Sequence, residues 1–148
     1  MKNLVKFSTL MLCVALVFVG CKKDEPTETE DYASKIAGQY NGEFVMYEIP
    51  VGDAILVVTK VANDKVQIAT TAPGVGDVNC NATVGKSGNN YSISGKTSIT
   101  MEDMPQPFDV AITGTITEEG AANLKIGVTT ANTPFAEVNF AGQKATVE

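Results

Sequence analysis

The chain has 148 residues, a formal net charge of -6, no Trp and no His, which is room for one domain with one core and not for a multidomain enzyme. Without histidine, Ser-His-Asp and Cys-His hydrolysis, His-ligated zinc and imidazole acid-base catalysis are excluded. Every one of the 11 basic residues is lysine, so the bidentate fork that reads phosphate and guanine is missing and nucleic acid is not an expected partner.

Lys2 and Lys6 precede an apolar run from Leu10 to Val19 that ends at Gly20-Cys21. A basic start, an apolar stretch too short for a stable membrane anchor and a small residue before a cleavage point make residues 1–20 an expected signal peptide. A core helix would need polar residues at helical spacing between Leu10 and Val19, and there are none. Val19-Gly20-Cys21 resembles the lipobox of bacterial lipoproteins, although Phe18 stands where that pattern most often has Leu. The resemblance implies that Cys21 is acylated through its sulfur and becomes the new N-terminus, anchored in a membrane. Lys22-Lys23-Asp24-Glu25 has no aspartate directly after the cysteine. It is similar to the surface-export signal of lipoproteins in some Gram-negative gut bacteria, which implies an outer-membrane protein that faces outward. Residues 21–33 are read as a lipidated tether, since Pro26 to Asp31 is polar and acidic with nothing to bury. Removing the first twenty residues, with two lysines and no acid, leaves 9 lysines against 17 acids, a net of -8.

The folded domain is expected at residues 34–148, with a short helical turn at 32–37 before its strands. Eight strand-length segments rich in β-branched residues come next, separated by Gly, Asn, Asp and Pro: 39–48, 54–61, 65–71, 77–84, 90–100, 108–117, 122–130 and 135–143. Phe108, Val110, Ile112 and Ile116 alternate with Asp109, Thr113, Thr115 and Thr117, and Leu124, Ile126 and Val128 alternate with Asn123, Lys125 and Thr129. One face buried and one wet is the antiparallel pattern. The run Ile55-Leu56-Val57-Val58 is less clean and reads as a strand covered on both faces. Connections of three to six residues leave no room for crossover helices, so successive strands pair as hairpins. The expected fold is all-β: an eight-stranded antiparallel up-and-down β-barrel, with a two-sheet β-sandwich as the alternative.

Chemistry-bearing motifs are sparse. Cys80, on the face of Val78, Ala82 and Val84, reads as a buried structural thiol, and with Cys13 removed and Cys21 lipidated no disulfide can form within one chain. Glu102-Asp103 and Glu118-Glu119 sit at turn signals, where adjacent carboxylates are solvated and not paired for catalysis. Gly74-Val75-Gly76 has no following helix or Lys-Ser, Asn81-Ala82-Thr83 is a chance glycosylation triplet, and no alternating-acid calcium loop occurs. The expectation is a protein that is not an enzyme, with no catalytic residue, no metal and no cofactor.

Ala37-Gly38-Gln39-Tyr40-Asn41-Gly42, Gly76-Asp77-Val78, Asn90-Tyr91-Ser92-Ile93-Ser94-Gly95 and Val138-Asn139-Phe140-Ala141-Gly142 together resemble the calycin-like β-barrel lipoproteins of gut bacteria, over about residues 34 to 145. The resemblance implies a lipocalin-like barrel and carries over no catalytic residue.

In an up-and-down barrel the first, third, fifth and seventh connections share one end, here the odd end, and the others share the even end with both chain termini. The odd connections are expected at 49–53, 72–76, 101–107 and 131–134, and they hold all five prolines of the folded part. Proline stiffens loops, so the odd end, pointing away from the tether, is the expected binding face. Met46, Tyr47, Ile49, Met101, Met104 and Phe108 lie near those loops and are the candidate ligand-binding residues, with the alternative that Met101 and Met104 merely cap the core. The leading expectation is capture of a small apolar molecule at the barrel mouth. The alternative is a protein-interaction module, an inhibitor or accessory subunit of a surface complex, acting through the proline-containing loops. An open cavity would favour the first, a filled barrel with an exposed apolar patch the second.

Overall fold

The computed structural model describes residues 30–101, 104–131 and 133–146. The expected signal peptide, the lipid site Cys21 and the tether as far as residue 29 lie outside the described residues. A five-residue helix, α1 (Tyr32–Ile36), is followed by eight strands: β1 (Gly38–Met46), β2 (Ile49–Ala62), β3 (Lys65–Ala72), β4 (Gly76–Ser87), β5 (Asn90–Met101), β6 (Met104–Thr117), β7 (Ala121–Thr130) and β8 (Thr133–Lys144). They form a closed barrel in sequence order, every neighbouring pair antiparallel. The expected fold is the observed one, and the sandwich is not formed.

Closure comes from the β1–β8 ladder, which pairs Tyr40 with Lys144 and runs to Val45 opposite Asn139. At its centre Gly42 faces Gly142. A Cβ on Gly42 would lie 2.1 Å from the Ala141 carbonyl oxygen, and one on Gly142 would lie 2.6 Å from the Phe140 ring. The two glycines therefore let the strands approach and give Phe140 space against the seam.

Each strand sends alternate side chains inward, and Tyr40, Leu56, Ile68, Val78, Ile112, Ile126 and Phe140 expose 2 % or less of their surface. The outer face of β2 is bare, because Ile55 and Val57 are exposed. The expectation that this strand is covered on both faces is therefore corrected: with the sheet closed on itself, only its concave face has a core to meet.

The odd end also differs from expectation. The strands run further, and the connections shrink to residues 47–48, 73–75, 102–103 and 131–132. Pro50, Pro105, Pro107 and Pro134 consequently lie in strand ends, and only Pro73 is in a turn. All five stay at the odd end. Three ladders slip where a proline faces its partner strand: Val45 opposite Pro50, Thr100 opposite Pro107 and Thr129 opposite Pro134 each border a register shift. Proline has no N–H to give, and a bulge is where a strand can accommodate it.

Inter-hairpin ladders stop short at this end. Pairing ceases at Leu56 opposite Thr70, Ala82 opposite Gly95, Asp109 opposite Thr129 and Val45 opposite Asn139, while the four hairpins continue to their own tips. The barrel opens into four separate fingers.

The even end is sealed. Helix α1 buries Ala33 and Ile36 there, with the Ala33 N–H donating to the Asn63 carbonyl at 2.9 Å. The buried Tyr40 hydroxyl donates to the Ile36 carbonyl at 2.6 Å, and Lys144 Nζ to the Lys35 carbonyl at 3.1 Å. Asp31 caps the helix by accepting from the Ser34 N–H, and Lys60 Nζ meets its other oxygen at 2.5 Å. The folded part thus takes in Asp31 and Tyr32, which the sequence reading assigns to the tether.

Two outcomes follow from these contacts. Gly42→Ala is expected to destabilise by about 1–3 kcal/mol in urea unfolding, because backbone has to move. Gly127→Ala, where nothing lies within 4 Å of the added carbon, is expected to be neutral or to gain about 0.5 kcal/mol. The Lys60 and Ser34 donors hold the Asp31 carboxyl at about 2 instead of 3.8. A depressed carboxyl stabilises the fold above its unfolded value, and this stabilisation fades as pH falls from about 4 towards about 2. Asp31→Asn keeps the cap but removes the charge, so thermal unfolding followed across that window should lose part of its pH dependence.

Candidate functional site

The interior offers no site. Side chains from all eight strands meet in one core, and the bulk nearest the odd end is aromatic: Phe44 and Phe140 pack edge to face with centroids 5.7 Å apart. Met46, Ile99 and Ala136 are partly buried and pack on top of this layer. Among the described residues the inward side chains are almost wholly buried.

What the odd end does carry is exposed apolar surface. Tyr47 is 79 % exposed, Ile49 65 %, Phe135 43 % and Met104 40 %, and Val51 is exposed too. Tyr47 and Glu48 form the two-residue β1–β2 turn with φ of 51° and 65°. A tight hairpin turn needs positive φ at both central positions, and neither residue is a glycine or asparagine. The chain therefore holds a strained turn whose tip presents a nearly free phenol ring.

Two depressions share Phe135. The larger, about 590 Å³, runs along the start of β8 and is bounded by Tyr47, Glu48, Pro134, Phe135, Glu137 and Asn139. The smaller, about 270 Å³, is lined by Met104, Gln106, Phe108, Thr130 and Phe135. Phe108 is buried beneath the second, its ring 5.0 Å from that of Phe135.

Of the sequence-derived candidates, Tyr47, Ile49 and Met104 are exposed at the odd end, Met46 is part of the core cap, and Phe108 is floor and not surface. Met101 closes β5 opposite Met104. Pro134, Phe135 and Glu48 were not among the candidates, because the connection before β8 was expected to end at Pro134 and the first hairpin turn to lie at 49–53. The signal available for Phe135 was a large apolar residue directly after an odd-end proline.

Charge is distributed unevenly along the barrel axis. Among the described residues, those within five of an odd-end turn include Glu43, Glu48, Asp53, Asp77 and Glu137 and no lysine. Lys35, Lys60, Lys65, Lys86 and Lys144 sit at the even end, where Lys86 pairs with Glu118 at 3.0 Å. Lys125, in mid-barrel, holds Glu137 at 2.6 Å.

Cys80 is buried and free, and burial pushes its thiol up, away from the reactive thiolate. Among the described residues no group of three His, Cys, Asp or Glu side chains is placed to hold a metal ion. No family model matches the sequence. No curated protein matches it either.

The site separates from the fold by energetics. Phe108→Ala is expected to cost about 3–5 kcal/mol in denaturant unfolding, because it empties core volume. Tyr47→Asn should stay within about 0.5 kcal/mol of the parent, since Asn tolerates positive φ and Tyr47 supports nothing.

Proposed function

We propose that this chain is a lipid-anchored protein of the bacterial cell envelope, a calycin-like barrel that is not an enzyme and serves as a protein-interaction module through its odd end. The observation that carries the reading is the pairing of a filled interior with exposed Tyr47, Ile49, Val51, Met104 and Phe135 at one end. Contiguous apolar groups facing water are a recurrent mark of contact surfaces, and aromatic residues supply much of the binding energy when they are covered. The described residues begin and end at the opposite end, with helix α1 and the close of β8. A lipid on Cys21 in the outer membrane would therefore hold the odd end away from the bilayer and, on the cell surface, point it outward.

A second reading, capture of a small apolar molecule at the mouth, draws on the hollow above Phe108 with its largely apolar lining of Met104, Phe135 and the Thr130 edge. Its size of about 270 Å³ lies at the lower limit for ligand pockets. The protein-partner reading has the larger surface and is preferred.

Photo-crosslinking in intact cells tests the proposal. A photoreactive residue at position 47 or 135 should give a discrete protein adduct, and one at position 119 should not. Adducts formed only from position 119 would sink the odd-end assignment. In the same cells, Cys21→Ser should move the protein from the membrane to the soluble fraction, since the acyl chains that hold it, worth about 0.8 kcal/mol for each buried methylene, can no longer be attached.

A further inference from the structure

The wide depression beside β8 has a feature that its side chains alone do not reveal. On one side Thr133–Val138 runs along β7, from Thr130 opposite Thr133 to Ile126 opposite Val138, with Phe135 left without a partner at the register shift. On the other side the ladder to β1 ends at Asn139, because β1 has turned away at Tyr47. Six residues of β8, about 20 Å at the usual strand rise, therefore present a sheet edge with no strand beside it. The 590 Å³ depression reaches this edge, walled by Tyr47 and Glu48 of the β1–β2 turn, by β8 and, beyond it, by Gly127 to Thr129 of β7. Other stretches are unpaired as well, among them Ile49–Ile55 of β2 on the β3 side and the parts of β4 and β5 above Ala82 and Gly95; the β8 edge is set apart by the exposed Tyr47 and Phe135 rings and the acids of the neighbouring hairpin.

The unpaired charge beside this edge is acidic, since Lys125 is already engaged by Glu137. Glu43 and Asp53 face each other directly across β1 and β2, and Glu48 stands on the turn. Among the described residues none of the three has an ion-pair partner. Like charges directly opposite on a sheet oppose folding, and a cation placed over them removes the cost. A second copy of this chain would bring the same acids to the edge and is disfavoured on that ground.

We propose that the free edge of β8 is a strand-addition site for an extended, lysine- or arginine-bearing segment of a partner protein. The segment's backbone pairs with Phe135–Val138, leaving out Pro134, which has no donor. Its basic side chains meet Glu48 and the Glu43–Asp53 pair, and its alternate apolar side chains cover Tyr47 and Phe135. This inference rests on the odd-end reading above and adds the mode of recognition and the chemistry of the partner.

The test uses the full chain in detergent and three fluorescent eight-residue peptides: alternating lysine and valine, the same with glutamate for lysine, and the lysine peptide with alternate backbone nitrogens methylated. The lysine peptide should bind saturably, lose affinity as salt rises and slow hydrogen exchange at the β8 amides. The glutamate and methylated copies should bind at least about tenfold more weakly, a difference near 1.4 kcal/mol. Glu48→Lys combined with Asp53→Lys should weaken the lysine peptide by a similar factor, with an unchanged melting temperature showing that the variant is folded. Equal binding of the methylated peptide, protection at β5 instead of β8, or no saturable binding overturns strand addition. Dimerisation of the chain alone through β8 overturns the choice of occupant. If crosslinks from positions 47 and 135 persist while the peptides fail, only this inference falls; if those crosslinks are absent, the odd-end reading falls with it.

Discussion

Closure of the sheet by the β1–β8 ladder is the contact on which everything else depends. It joins residues on the order of a hundred positions apart, so it is the pairing with the largest loop-closure cost in the barrel. Without it the meander would have two long edges and a core open along one side. The seam tolerates no bulk: Gly42 and Gly142 face each other, and the Phe140 ring occupies the volume that a side chain there would need. Helix α1 completes the closure by covering the even mouth with Ala33 and Ile36, so one end of the barrel is committed to stability.

The other end is released from that task. Prolines opposite Val45, Thr100 and Thr129 border register shifts in three hairpins near their tips, and the ladders between hairpins stop short at the same end. Aromatic bulk seals the core just below, so this end exposes apolar groups without opening a cavity. Strain at Tyr47-Glu48 is tolerated in the same region, where a loosely held hairpin tip has little packing to disturb. Among the described residues even-end lysines are matched by Glu30, Asp31, Asp64, Glu118 and Glu119, whereas the odd-end turns have acids and no lysine near them, an axial charge asymmetry.

Much of the architecture was legible because period-two alternation survives in β6 and β7, and because short polar connections allow only hairpins. Cys80 is inward with Val78 and Ala82 for the same reason. Where the sequence reading failed, two physical signals competed. Pro50 and Gly52 are turn-formers by composition, yet here they serve a bulge inside β2, and the turn itself falls on Tyr47-Glu48, whose residue types disfavour positive φ. The bare outer face of β2 was hidden by a run of four apolar residues that cannot by itself distinguish burial on one side from burial on two. Phe108 and Phe135 are similar in composition and lie at the same end. Period-two spacing separates them, Phe108 falling on the face of Val110 and Ile112 and Phe135 on the face opposite Val138 and Phe140.

Finger-like hairpins at one end alter how this fold can change over time. The tip of the β5–β6 hairpin is paired with no strand on either outer side, since Lys96–Met101 have no β4 partner and Met104–Phe108 have no β7 partner. A residue pair inserted or deleted there alters the length of one finger and shifts the register of nothing else. The same change between Ser87 and Asn90, at the even end, would disturb ladders that run almost to their turns. Insertions are therefore absorbed at the odd end and penalised at the even end, and a lineage carrying this barrel can reshape its contact surface, or accept a grafted loop, while the closing seam and the helical plug stay fixed.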